Sequence, residues 1–114
     1  MKFFTRDIII VPFPFSNLTQ YKQRPAIVIS NYRLNSTNDV IIAQMSSVIR
    51  NDNFSFLIED FMLDNLLVQR SEVRTNKILT IEKSLIIKTI ARMNEKPYYD
   101  LIEKILSNIR TIPT

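Results

Sequence analysis

The 114-residue chain contains no glycine, although average usage of about 7% would supply roughly eight. Glycine enters left-handed backbone without a steric penalty, so tight turns and phosphate-cradling glycine-rich loops lose their usual material. Asparagine is the next residue able to take positive φ. Ten asparagines stand in the chain, and five lie between apolar runs: Asn17, Asn51, Asn53, Asn65 and Asn76. They read as turn residues; a biased nucleotide composition that enriches Asn, Ile and Lys together accounts for them equally well. Histidine and cysteine are absent too. That removes imidazole acid–base chemistry, thiol nucleophiles and thiolate or imidazole metal sites. Any catalysis runs on hydroxyls, carboxylates, Arg, Lys or Tyr.

The length fits one domain, and 46% apolar against 23% charged residues is enough for a packed core. No apolar run approaches the roughly 18 residues of a membrane span. Met1-Lys2-Phe3-Phe4 is followed at once by Arg6 and Asp7, which is no secretory apolar region, so a cytoplasmic location is expected. The net charge of +4 and pI near 9.6 favour an acidic partner without identifying it. Its distribution says more. Lys22, Arg24, Arg33 and Arg50 face only Asp39 between positions 20 and 50, and Arg70, Arg74 and Lys77 form a second group. Those groups are where a polyanion would bind.

Asp7 to Phe15 is rich in Ile, Val and Phe on both alternating sets, which predicts a strand covered on both faces. A polar loop over 16–23 leads to Arg24-Pro25, and the next strand is expected at Ala26–Ser30, with Pro25 at its start. Further strands are predicted at Asp39–Ser47, Phe54–Ile58, Leu66–Arg74 and Ile78–Ile81, the last two separated by a turn at Thr75-Asn76-Lys77. Residues 86–93 fit a short strand or a helical turn. Tyr98, Leu101, Ile102, Ile105, Leu106 and Ile109 share one helical face, with Asn94 as N-cap, Glu95 in the first turn and Pro97 tolerated there. Short strands at intervals of about ten residues, closed by one helix, predict a small, mainly β barrel with a C-terminal α-helix.

Two blocks carry a family likeness. RDIIIVPFPFSNL (Arg6–Leu18) followed by KQRPAIVIS (Lys22–Ser30) resembles the opening of the MazF/PemK family of bacterial toxins. Ile41–Ser47 is similar to that family's third strand, which ends in Thr or Ser. Ser71–Arg74 with Ile78–Lys83 resembles its later strand pair, and the closing helix fits. The resemblance implies a single SH3-like antiparallel barrel over residues 1–114 that forms a homodimer. It implies a growth-inhibiting toxin that cleaves single-stranded RNA at short sequence motifs with no metal or cofactor. It also implies an acidic, partly disordered antitoxin that covers the RNA site. By the same likeness Arg24 matches the catalytic Arg, Ser46 the Thr/Ser, Ser47 a neighbouring hydroxyl of the PemK branch, and Arg74 that branch's second Arg. The chain departs from the family at three positions: Arg6 stands for the usual Gly before the first Asp, Asn76 for an Asp of the PemK branch, and Leu79 for a frequent Arg.

The residue types suit metal-free RNA cleavage, in which the substrate's own 2′-OH attacks phosphorus and leaves a 2′,3′-cyclic phosphate and a 5′-OH. The protein then needs chiefly to align the oxygens and neutralise phosphorane charge. A guanidinium does this with bidentate donors, so Arg24 and Arg74 are the candidates, with Ser46 and Ser47 donating to phosphate oxygens. No side chain here titrates near 7 unperturbed, so the optimum is expected on the alkaline side. Phe15 is a base-stacking candidate, Asn17, Gln23 and Gln44 supply polar edges, and Lys22, Asn76 and Lys77 complete the RNA-contact set. Two other readings remain. One is a CcdB-like gyrase poison on the same barrel, whose Trp-Gly-Ile tail has no match in Arg110-Thr111-Ile112-Pro113-Thr114. The other is a non-catalytic RNA- or peptide-binding barrel, with activity lost through Asn76.

Overall fold

Ile8 and Ile9 are adjacent and both fully buried, which requires packed material on both faces of the strand that carries them. The computed structural model describes residues 2–13 and 22–113. It supplies six antiparallel strands: β1 (Asp7–Phe13), β2 (Lys22–Val28), β3 (Asp39–Ser46), β4 (Ser55–Leu57), β5 (Glu72–Glu82) and β6 (Lys88–Arg92). They form one sheet in the order β4-β5-β3-β2-β1-β6. A short helix, α1 (Tyr32–Asn35), links β2 to β3, and α2 (Glu95–Leu106) follows β6. Single 3-10 turns cover Asp60–Met62 and Lys83–Leu85.

Alternation on β1, β2 and β3 separates two cores. Ile8, Ile27, Ala43 and Met45 pack with Tyr98, Leu101 and Ile105 of α2. Ile9, Val11, Ala26, Val28, Val40 and Ile42 pack on the opposite face with Phe3 and Ile81. The sheet curls until its ends meet. Leu63 bridges Met93, Asp64 donates its amide to the Arg92 carbonyl and Asn94 to that of Met62, so chain leaving edge strand β4 pairs beside the other edge, β6. This curled half-barrel with a C-terminal helix is the mainly β architecture expected. This pairing covers part of the β6 edge, and an open strand edge invites aggregation.

Several expectations need correction. Leu66–Ser71 is not strand; β5 begins at Glu72 and runs unbroken through Thr75-Asn76-Lys77, which form an irregularity and not a turn. Leu66 and Val68 are exposed, so that apolar run has no sheet to join. β2 starts at Lys22, placing Pro25 inside it. The site tolerates proline because Ile10, opposite Pro25, turns its carbonyl to Ile87 on the β6 side. Pro25 therefore faces β3, one residue before that ladder begins at Ala26. The undecided 86–93 segment contains β6. The short helix α1 carries no apolar period long enough to announce it.

Asn94 is the N-cap residue, but its amide donates to the Phe61 carbonyl and makes no cap bond. Among the described residues only Asn51 (φ 51°) and Arg6 (φ 79°) have positive φ. Of the asparagines expected at turns, Asn51 takes left-handed backbone and Asn53 lies in the turn before β4, whereas Asn76 lies within β5. Asn65, in a bend, donates to the Ile90 carbonyl, and Asn35 and Asn108 likewise brace the carbonyls of Ser30 and Thr75. Asn17 lies outside the described residues. A side chain as large as Arg held in left-handed backbone costs about 1–3 kcal/mol.

The helix is held by burial and by the Tyr98 hydroxyl, which donates to the Ile29 carbonyl at 3.1 Å. Burial pushes that hydroxyl's pKa up to about 12. Leu101 is fully buried between helix and sheet. Leu101→Ala is expected to cost about 2–5 kcal/mol in chemical denaturation; a loss below about 0.5 kcal/mol, the range of surface changes, would show that α2 does not pack there.

Candidate functional site

Arg24 sits near the start of β2, paired with Val11 of β1. Its side chain follows Ala26 and Val28 onto the face opposite α2, at the end of the sheet where β1 and β3 finish. The guanidinium carbon lies 5.7 Å from the Phe13 ring centroid, a cation–π contact that fixes the group. Arg24 Nε is buried and has no hydrogen-bond partner among the described residues. Buried donors are nearly always satisfied, so this one requires an explanation.

The β2–β3 ladder ends at Ala26 paired with Gln44. Two residues further along each strand, past the last pair, stand Arg24 and Ser46, which alternation places on the same face at the same end of the sheet. Gln44 shares that face and is half-buried. Ser46 Oγ accepts from the Val48 amide at 3.1 Å and from Arg50 Nη1 at 3.4 Å. Ser47 is exposed just beyond the strand end. Lys22 and Gln23 are exposed on β2, with alternation turning Lys22 to the Arg24 face and Gln23 to the other. Asn76 and Lys77 are exposed on the irregular part of β5. Phe15, like Asn17, lies outside the described residues.

Arg74 is placed differently from Arg24. Glu72 pairs with Ser46, and Arg74, two residues on, pairs with Ser55. Arg74 Nη1 donates to Asp52 Oδ1 (3.0 Å), Ser55 Oγ (3.0 Å) and Glu72 Oε2 (2.5 Å), and Nη2 donates to Asp52 Oδ2 (3.0 Å). Glu72 is 0% exposed; its Oε1 accepts from the Arg50 and Asn51 amides, and Ser55 donates to Oε2. Burial pushes the Glu72 carboxyl up, but the donors from Arg74, Ser55, Arg50 and Asn51 outweigh it and hold the pKa below its ordinary value. The Asp52 pKa is lowered from 3.8 to about 2, chiefly by Arg74, and bonds to Asp52 and then Glu72 raise that of Arg74.

The network ties the 47–54 loop to β5 beside Ser46. In the sequence Arg50, the donor to Ser46, stands out only as one of a basic group, and Asp52, the outer carboxylate, not at all; the spacing of Glu72 and Arg74, two apart on one strand, is the local signal for their pair. Among the described residues no three carboxylates gather as metal ligands would.

The sequence profile of the PemK-like, MazF-like toxins of type II toxin-antitoxin systems matches residues 5–111. No curated protein sequence matches the chain. The fold is similar to that of an endoribonuclease in complex with its cognate antitoxin from a mycobacterial species, with TM-score 0.77, 12% identity, and coverage of 96% of this chain and 98% of that one. For a MazE–MazF complex from Deinococcus radiodurans the values are 0.78, 13%, 96% and 97%. For the Mycobacterium tuberculosis toxin MazF-mt6 they are 0.71, 20%, 91% and 96%. At these identities the likeness is one of fold.

Both network carboxylates have lowered folded pKa values, so they contribute stability above their ordinary range and lose it as pH falls through the folded value. The native chain should therefore lose stability as pH drops from 3.8 towards about 2, and Asp52→Asn should lose less over the same window in urea titrations. Equal acid slopes would show that the Asp52–Arg74 pair does not form in solution.

Proposed function

The chain belongs to the PemK-like, MazF-like toxins of type II toxin-antitoxin systems, and we propose that it acts in the cytoplasm as a sequence-selective endoribonuclease on single-stranded RNA. The observation that carries this reading is the buried Arg24 Nε, which has no partner among the described residues, on the strand end that lies beyond the last β2–β3 pair beside the end of β3 that carries Ser46. A phosphate oxygen would satisfy that donor, and the Phe13 ring pre-sets the guanidinium so that little ordering is left for the transition state.

The substrate's 2′-OH attacks phosphorus in line with the departing 5′ oxygen, giving 2′,3′-cyclic phosphate and 5′-OH ends without a metal. Arg24 donates to the non-bridging oxygens as charge develops, and Ser46 adds a hydroxyl donor, with Arg50 beside it and Ser47 next along the chain. Arg74 supports the site by holding Asp52 and Glu72; a direct bond from it to phosphate requires Asp52 to yield its place. Lys22, Gln23, Gln44, Asn76 and Lys77, with Phe15 and Asn17, are the proposed RNA contacts. With no side-chain type in the sequence whose ordinary pKa lies near 7, the rate should rise on the alkaline side. An antitoxin, as in the complexes of the structural relatives, would be an acidic, partly disordered chain that masks Arg24, and the toxin would act as a homodimer.

Induced expression followed by mapping of RNA 5′ ends tests this. The native chain should produce recurring 5′-OH ends at one short motif. Arg24→Ala should slow cleavage by about 10²–10³, and Ser46→Ala by about 10- to 100-fold. Growth arrest with intact transcripts, or equal cleavage by Arg24→Ala, would overturn the reading.

A further inference from the structure

The end of the sheet remote from Arg24 and Ser46 holds a second cluster of cations, gathered around the Arg6 backbone. The Arg6 amide donates to the Val28 carbonyl and its carbonyl accepts from the Met93 amide, both at 2.9 Å. The left-handed conformation is thus fixed from two sides. At the other positive-φ position the chain carries Asn51, the side chain best suited to it. At position 6 it carries a long cation instead, so the strain is accepted for the sake of a guanidinium.

That guanidinium donates from Nη1 to the Met93 carbonyl at 2.9 Å and lines a cleft of about 560 Å³ with Lys2, Phe4, Tyr32, Lys83 and Arg92. Arg92 is paired with Asp7 at 3.0 Å. Lys2, Arg6 and Lys83 have no carboxylate partner among the described residues; Lys83 Nζ donates to the Asn35 carbonyl. Two aromatic rings stand at the rim: Tyr32 is 82% exposed, and Phe4, its ring held 5.1 Å from the Arg92 guanidinium carbon, is 51% exposed. Three cations with no carboxylate partner among the described residues, beside an open Tyr32 ring and a half-exposed Phe4 ring, match a phosphate joined to a base, and the volume falls in the range of about 300–1,000 Å³ that holds small ligands.

We propose that this cleft binds a nucleotide of single-stranded RNA, its phosphate among Lys2, Arg6 and Lys83 and its base on Tyr32 or Phe4. The inference rests on the RNA-directed reading above and adds a contact surface at the far end of the barrel. An acidic peptide would use the cations but leave the two rings without a flat partner.

The test is binding of a 16-nucleotide, mixed-sequence, 2′-O-methyl single-stranded RNA, which cannot be cleaved, to the full chain across a salt series. Arg6→Gly relieves the backbone, so its melting temperature should match or exceed that of the native chain. Its affinity should fall by about tenfold, with a salt slope smaller by about 0.7. Tyr32→Ala, at a side chain that buries little, should weaken binding by about 5-fold or more with the slope unchanged. Native affinity and slope in both variants, with Arg24→Ala weakened, would overturn the cleft and leave the nuclease reading intact. Absence of RNA binding by the native chain would overturn both. If both variants lost affinity for an acidic peptide while keeping native affinity for RNA, the cleft would be a protein-docking site and the proposal would be wrong.

Discussion

A carboxylate with no access to water, Glu72, organises the end of the barrel where the candidate site lies. An isolated buried charge is strongly unfavourable, and it is tolerated only when paired and fully hydrogen-bonded. Here four groups supply the donors: the Arg74 guanidinium, the Ser55 hydroxyl, and the Arg50 and Asn51 amides. Two of them belong to the loop after β3. Because the charge must be satisfied, that loop must lie down on β5. Asn51 takes left-handed backbone within it, and Arg50 comes within reach of Ser46. The same pairing fixes Arg74 so firmly that it faces Asp52 and Glu72 and not open solvent.

The two arginines that looked alike in the sequence therefore have different environments. Arg74 has its Nη donors committed to carboxylates and a hydroxyl, whereas Arg24 has an aromatic neighbour and one buried donor without a partner among the described residues. A group with its donors filled stabilises what is already folded; the group with a donor unfilled is the one proposed to meet a phosphate. The pairing of β2 with β3 brings the strand end that carries the Ser46 hydroxyl to the same end and face of the sheet. The geometry available to a phosphate comes from ordinary strand pairing and needs no glycine-rich loop, consistent with a chain that contains no glycine.

The central strands and the closing helix were legible because their apolar residues repeat at the period of the element that buries them: Ile8 to Val11 on two faces, and Tyr98, Leu101 and Ile105 on one. Leu66–Val68 misled for the complementary reason. A strand needs a neighbour with free hydrogen-bonding groups, and composition does not report whether one is present. The asparagines were read as turns from their conformational tolerance. Asn51, in left-handed backbone, and Asn53, in a turn, do serve in that way, whereas Asn65, Asn94 and Asn108 donate their amides to backbone carbonyls far along the chain, a long-range role invisible in local sequence. Arg24 and Ser46 were found by likeness to a family, and the register that joins them needed coordinates. Arg50 is visible in the sequence only as one of a basic group and Asp52 not at all, because their partners, Ser46 and Arg74, are set by how the loop folds back.

The most direct test of the account is a crystal structure of the chain with a 2′-O-methyl single-stranded RNA spanning its cleavage motif. The account predicts a phosphate oxygen within about 3 Å of both Arg24 Nε and Ser46 Oγ. It would be contradicted by a bound strand whose phosphates all lie away from that pair, with Arg24 Nε still facing only protein.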